Sequence, residues 1–148
     1  EDRVNQVGAK YGANIFTGAD LYSADVDIYA PCALGATIND ATINNIKASI
    51  IAGAANNQLA NEAIHGKILK DKGILYAPDF LINAGGVINV YSELVKWTNA
   101  QVMEKTENIY NTALEIFKFA DDNNITTHQA AFSMAQKRID DAKNELKK

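Results

Sequence analysis

The sequence predicts an α/β fold: a parallel sheet with flanking helices, followed by a C-terminal helical hairpin. Three observations carry this expectation. Short apolar runs alternate with amphipathic helical patterns through the first two thirds of the chain, the spacing of βαβ units with right-handed crossovers. Three of those runs stop at unusual sequences, Ala30-Pro31-Cys32-Ala33, Gly53-Ala54-Ala55-Asn56-Asn57-Gln58, and Ala77-Pro78-Asp79 leading to Asn83-Ala84-Gly85-Gly86. From Thr98 the texture changes to sustained steps of three and four, which predicts two long helices.

The elements follow in order. Val4, Val7 and Tyr11 sit at i, i+3 and i+7, with Gly12 placed to end that helix. An apolar run over 13–16 leads to a connector with Gly18, Asp20 and Ser23. Val26-Asp27-Ile28-Tyr29-Ala30 reads as a strand that stops at Pro31. Asn39 or Asp40 is placed to cap a helix with Ile43 and Ile46 inward. Ser49-Ile50-Ile51-Ala52 is a short strand of buried type. Asn61 is placed to cap the next helix, with Ile64, Ile68 and Leu69 inward and Lys67, Lys70 and Asp71 outward; Gly73 closes it. The strand Ile74 to Ala77 ends at Pro78, and a second apolar run, Phe80 to Ile82, delivers Asn83.

Thr98 and Gln101 match a capping box, as do Thr126 and Gln129. Between them, Val102, Thr106, Ile109, Ala113, Phe117 and Ala120 predict one helix of about 23 residues, roughly 35 Å long. Asp121-Asp122-Asn123-Asn124 breaks it. The last helix should turn Ala131, Met134, Ala135, Ile139, Ala142 and Leu146 inward.

Composition narrows the function classes. A chain of 148 residues fits one domain. A net charge of -4 argues against nucleic acid or an anionic membrane as partner. No apolar run approaches the ~18 residues of a spanning helix, and the N-terminus has no signal-peptide pattern. A single cysteine excludes an internal disulfide and suits a reducing, cytoplasmic setting. His65 and His128 have no Cys or His at ligand spacing, so no metal site is expected. The chain opens within a helical pattern and without Met, which predicts a piece of a longer protein.

In open parallel sheets, ligands bind outside the carboxyl ends of the strands. The three unusual strand ends should therefore line one edge and form the site. Asn83 beside Gly85 and Gly86 combines a non-titrating amide, which both donates and accepts, with backbone free of Cβ atoms. Its other reading is a turn with Asn and Gly at φ > 0.

At these strand ends the sequence resembles the Glu/Leu/Phe/Val dehydrogenase family. The residues that carry the likeness are Asp27 to Gly35, Ile51 to Leu59, Gly73 to Asp79, and Ile82 to Val90, three ordered motifs in a likeness that covers essentially the whole chain. Within the family it is most like the leucine-specific members. The resemblance implies a partial Rossmann-type fold, with residues 1–97 the C-terminal portion of an NAD-binding domain. Residues 98–148 would be two helices packing back on it or on an N-terminal domain. It implies NAD as cofactor, an amino acid and its 2-oxo acid as substrates, and a homo-oligomeric enzyme. The family's G-x-G-x-x-G turn, its ribose-binding acid and its catalytic lysines and aspartate have no counterparts here, so no catalytic residue is assigned and this chain alone is expected to be inactive.

By the same resemblance, Pro31, Cys32 and Ala33 border the cofactor. Asn57 contacts the nicotinamide half or the substrate, and Asn83 the nicotinamide ribose or carboxamide. Val87 and Val90 line the pocket for the substrate side chain. Two valines favour an apolar side chain over glutamate, whose buried carboxylate would be unpaired. Tyr91-Ser92-Glu93 departs from the family's pattern and leaves leucine itself open. Residue chemistry supplies alternatives: Cys32 lacks a neighbouring base and is expected as a small buried hydrophobe, Asn57 as a helix-entry turn residue, and Val90 as ordinary packing. Lys47, Lys67, Lys70 and Lys72 are expected in solvent, His65 and His128 at the surface or in caps, and Asp79 as a turn acceptor.

Overall fold

A computed structural model describes residues 2–146. Three short strands, β1 (Ile28–Tyr29), β2 (Ile50–Ile51) and β3 (Leu75–Tyr76), form a parallel sheet in the order β1-β2-β3. Ile28 pairs with Ile50 and Ile50 with Leu75; Tyr29 pairs with Ile51 and Ile51 with Tyr76. Because the strands are parallel and in step, Pro31, Gly53 and Pro78 leave the sheet at the same edge.

The helices are α1 (Asp2–Tyr11), α2 (Glu62–Asp71), α3 (Asp79–Ile82), α4 (Gly85–Val95), α5 (Asn99–Glu107), α6 (Ile109–Asp122) and α7 (Thr127–Glu145). Local chemistry fixes most of their ends. Gly12 and Gly73 take φ of 64° and 71° after α1 and α2, a conformation that glycine adopts without a Cβ clash. The Asn61 side chain accepts from the Ile64 N–H at the start of α2. Thr98 and Thr126 complete reciprocal capping boxes with Gln101 and Gln129.

The main core gathers Ile38, Ile43, Ile46, Ala48, Ile51, Leu59, Leu69 and Tyr76. A second core joins Ile116 and Ala120 of α6 to Ala130 and Ala131 of α7, with Leu81 of α3 packed against it. The hairpin docks on the sheet edge through the Thr127 hydroxyl, which donates to the Tyr76 carbonyl at 2.7 Å. Lys70 of α2 donates to the Asn124 side chain at 2.5 Å. Among the described residues, no helix is long and apolar enough to cross a membrane.

Four expectations are corrected. The helix expected from Asn39 to Ile46 is a series of turns, because local side chains compete for its backbone: Asn39 Oδ1 accepts from the Ala41 N–H and the Thr42 hydroxyl donates to the Thr37 carbonyl. Ile43 and Ile46 are nevertheless buried. The single helix over 98–120 is divided at Asn108, which stays right-handed with φ -67° and ψ -10°. Just before the break the Thr106 hydroxyl donates back to the Val102 carbonyl at 2.8 Å, a bond that bends helices. Ile64, expected inward, is exposed. In α7 only the first two turns are covered; Ala135, Ile139, Ala142 and Leu146 are exposed.

Candidate functional site at the sheet edge

The loops after β1 and β2 are pressed together, backbone on backbone. A Cβ on Gly53 would overlap the Pro31 nitrogen and carbonyl oxygen, and one on Gly35 would lie 2.6 Å from the Asn56 carbonyl oxygen. Between the loops, the Ala55 N–H donates to Pro31 O at 2.9 Å, Ala36 N–H to Asn57 O at 2.7 Å, and Ile38 N–H to Gln58 O at 3.0 Å. Ala36 and Asn57 both sit in the left-handed region, at φ 54° and 53°. That conformation costs about 1–2 kcal/mol in most L-residues, Asn being one exception. The fully buried Gln58 closes its own turn, donating to Gly53 O at 2.6 Å and Ala55 O at 3.0 Å.

The loop after β2 is tied as closely to the β3 end. The Asn83 amide donates to Asn56 Oδ1 at 2.5 Å and to Ala54 O at 3.2 Å. Both of its N–H groups are engaged, and among the described residues no hydrogen bond is donated to its carboxamide oxygen. Around this pair opens a cleft of about 780 Å³ lined by Ala54, Asn56, Phe80, Ile82, Asn83 to Val87, Thr106 and Ile109. Asn83 has φ -96° and Ala84 φ -65°, and Gly85 and Gly86 begin α4. None has a positive φ, so the turn reading does not account for these glycines. A Cβ on Gly86 would meet only open space; the pair leaves bare backbone at the cleft.

Asp79 is nine-tenths buried and faces two donors. One carboxylate oxygen accepts from the Asn57 N–H at 2.6 Å and the other from the Tyr76 hydroxyl at 2.9 Å. This bears out an acceptor role. Burial, together with this hydrogen bond, raises the Tyr76 phenol above its ordinary value. Asn57, Asp79, Tyr76, Glu62, Phe80, His128 and Phe132 surround a second cavity of about 290 Å³ behind the loop.

Pro31, Cys32 and Ala33 line a separate apolar groove with Tyr22, Val26, Tyr29 and Leu34. Cys32 is exposed, contrary to the buried-hydrophobe reading, because the Pro31 turn carries it off the sheet edge; its sulfur receives the Ala54 N–H at 3.5 Å. Val87 and Val90 stand on α4 at 67% and 63% exposure, so core packing does not explain Val90. The structure thus brings Asn83 and Val87 into one cleft, with Asn57 behind it and Pro31 to Ala33 beside it.

His65 serves a cap but is not at the surface. It is 3% exposed; its Nδ1 accepts from the Asn61 N–H at 2.9 Å and its Nε2 lies 3.1 Å from Asp40 Oδ1. Its place among the charged residues of α2 gave no sign of this. Lys67 pairs with Asp71 on the exposed face, as its spacing suggests. Residues 30–37, Gln58 and Asp79 carry more of the candidate site's construction than their chemistry alone indicates, since backbone, the buried Gln58 donor and the buried Asp79 acceptor do the holding.

A family model described as Glutamate/Leucine/Phenylalanine/Valine dehydrogenase matches residues 2–146. An L-tryptophan dehydrogenase of Nostoc punctiforme is 47% identical over 146 residues, covering 99% of this chain and 41% of that protein. A leucine dehydrogenase of Thermoactinomyces intermedius is 45% identical over 140 residues, covering 95% of this chain and 38% of that one. The crystal structure of the Nostoc punctiforme enzyme superposes with a TM-score of 0.91 at 46% identity, covering 97% of this chain and 43% of that one. The chain spans about two fifths of the length of these relatives. Its parallel sheet, strand-end motifs and C-terminal helices are those of a Rossmann-type fragment, and the chain belongs to the Glu/Leu/Phe/Val dehydrogenase family.

Proposed function

We propose that this chain forms the nicotinamide side of an NAD-dependent amino-acid dehydrogenase acting on an L-amino acid with an aliphatic, leucine-like side chain. The observation that carries the proposal is the convergence of three strand ends on one sheet edge, with Asn83 clamped to Asn56 and Ala54 beside bare glycine backbone. The donor set fits the nicotinamide ribose half of the cofactor. Asn83 offers a carboxamide oxygen to hydroxyl or amide donors, and the cleft lining has no Lys or Arg to favour a diphosphate.

In this reading residues 1–97 belong to the cofactor-binding domain and 98–148 return toward the rest of the polypeptide. Bound NAD supplies the hydride acceptor. Asn83 orients the ribose or carboxamide, Asn57 positions the nicotinamide end or the substrate, and Pro31, Cys32 and Ala33 border the cofactor. Val87 and Val90 present an apolar wall to the substrate side chain. An aliphatic group gains from covering that wall, at roughly 25 cal/mol per Å². A glutamate carboxylate loses hydration there without a partner.

The test uses the longer protein that contains this chain. Asn83→Ala should raise KM for NAD about tenfold, the effect of one ligand hydrogen bond, and lower the thermal midpoint through its lost bonds to Asn56 and Ala54. An unchanged KM would remove Asn83 from the site. The 148-residue chain alone should form no NADH from leucine and NAD. A second reading, an aromatic substrate, is favoured by the likeness to the Nostoc punctiforme tryptophan enzyme. The ratio of kcat/KM for leucine and tryptophan decides between the two.

A further inference from the structure

We infer that Asp79 is the positioning residue for Asn57, setting the left-handed peptide on which the reactive end of the cleft depends. This rests on the proposed function and adds to it a residue that touches neither cofactor nor substrate.

The geometry points there from four directions. Asn57 holds φ 53°, a conformation that Asn tolerates but that its surroundings must select over the right-handed and extended alternatives. The peptide groups on both sides of its Cα are gripped: the N–H by Asp79 at 2.6 Å and the carbonyl by the Ala36 N–H at 2.7 Å. Ala36 is itself left-handed without Asn's tolerance, so the bond between the two residues braces both and Asp79 anchors the pair to the β3 end. Behind Asn57 lies a cavity of about 290 Å³, so these bonds act directly on Asn57 while Gln58 and Asn83 hold the rest of the loop.

Asp79 suits the task. It is 7% exposed, and a carboxylate accepting from a backbone N–H makes a charge-assisted bond, shorter and stronger than a neutral one. Its second oxygen is taken by the Tyr76 hydroxyl, which fixes the carboxylate plane. With both oxygens engaged inside the protein, Asp79 is not free to move substrate protons. It acts through Asn57.

The experiment is a double-mutant cycle in the longer protein that contains this chain, reading kcat/KM with leucine and NAD and the thermal midpoint separately. Asp79→Ala and Asn57→Ala should each lower kcat/KM about tenfold or more, and the double variant should fall no further than Asn57→Ala within about twofold, the signature of residues acting as one unit. Asp79→Asn keeps an oxygen for the Asn57 N–H and an amide N–H for the Tyr76 oxygen, so it should retain most of kcat/KM. Should Asp79→Ala not fold, Asp79→Asn carries the test alone.

Additive losses in the cycle would overturn the inference, because a merely structural Asp79 acts independently of Asn57. Loss of kcat/KM in Asp79→Asn to the level of Asn57→Ala would overturn it too. An active protein indifferent to Asn57→Ala sinks this inference and leaves the proposed function standing. A protein that reduces NAD with no amino acid sinks the proposed function, and the inference falls with it.

Discussion

The sheet edge and the outer half of α7 are built from similarly apolar stretches and end in opposite states. Ile51, Ile38 and Leu69 are completely buried under the loops that form the candidate site. Ile139 of α7 is half exposed and Leu146, just past its end, 89% exposed, although both fall on the apolar stripe that begins at Ala131. Ile51, Ile38 and Leu69 have cover from strand, loop and α2 within the same chain, while Ile28 on the outer strand β1 stays 55% exposed. On α7 the buried contact is confined to its first turns, where Ala130 and Ala131 meet Ile116 and Ala120 of the C-terminal half of α6. Apolar periodicity marks which residues seek cover; only the fold decides which ones find it.

The sharpest way to test this contrast is truncation on each side. Ile51→Ala should cost the 148-residue chain about 2–5 kcal/mol, the range for emptying a packed aliphatic site, read from urea unfolding. A loss under about 1 kcal/mol would mean that the sheet core is not closed. Gly53→Ala should cost about 1–3 kcal/mol or more through overpacking against Pro31, again by urea unfolding.

Alkaline pH probes the same edge. Burial raises Tyr76 above its ordinary value of 10.0, with Asp79 adding to the shift, and burial also raises Tyr29. The folded state then holds phenolic protons more tightly than the unfolded chain. Stability should be at full strength below pH about 10 and fall as the pH rises past it. Tyr76→Phe should flatten that fall, and an equally steep decline in the variant would contradict the burial of Tyr76.

Helix starts offer a smaller contrast. Thr126 is buried at the hairpin turn and Thr98 exposed, with identical capping boxes. Each Thr→Ala change should cost about 1 kcal/mol, Thr126→Ala the more of the two. At the lower end, Leu146→Ala should shift stability by no more than about 0.5 kcal/mol; a larger loss would mean that this face is covered after all.

The elements best read in advance were those fixed by their own residues. The Thr98 and Thr126 boxes, the Asn61 cap, the left-handed Gly12 and Gly73, and the three strand ends all follow from local chemistry. The failures arose where the outcome depended on competing or distant partners. The turns over 39–46 reflect side chains outbidding helix hydrogen bonds, and the Asn108 break follows the Thr106 hydroxyl. His65 reads as a surface residue until Asp40 and the Asn61 N–H are found beside it. Within the site, Asn83 and Val87 were marked by their motif, whereas the strained Ala36 and the two-sided grip on Asn57 are backbone facts that no residue type announces.

The most direct measurement is amino-acid-dependent NADH formation by the longer protein that contains this chain, followed by absorbance across leucine, tryptophan, phenylalanine and glutamate. The account predicts NAD reduction with the large apolar substrates, leucine foremost, and at least about tenfold lower kcat/KM with glutamate, the discrimination expected when a carboxylate is left unpaired against Val87 and Val90. Preference for glutamate, or no reduction of NAD with any amino acid, would contradict it.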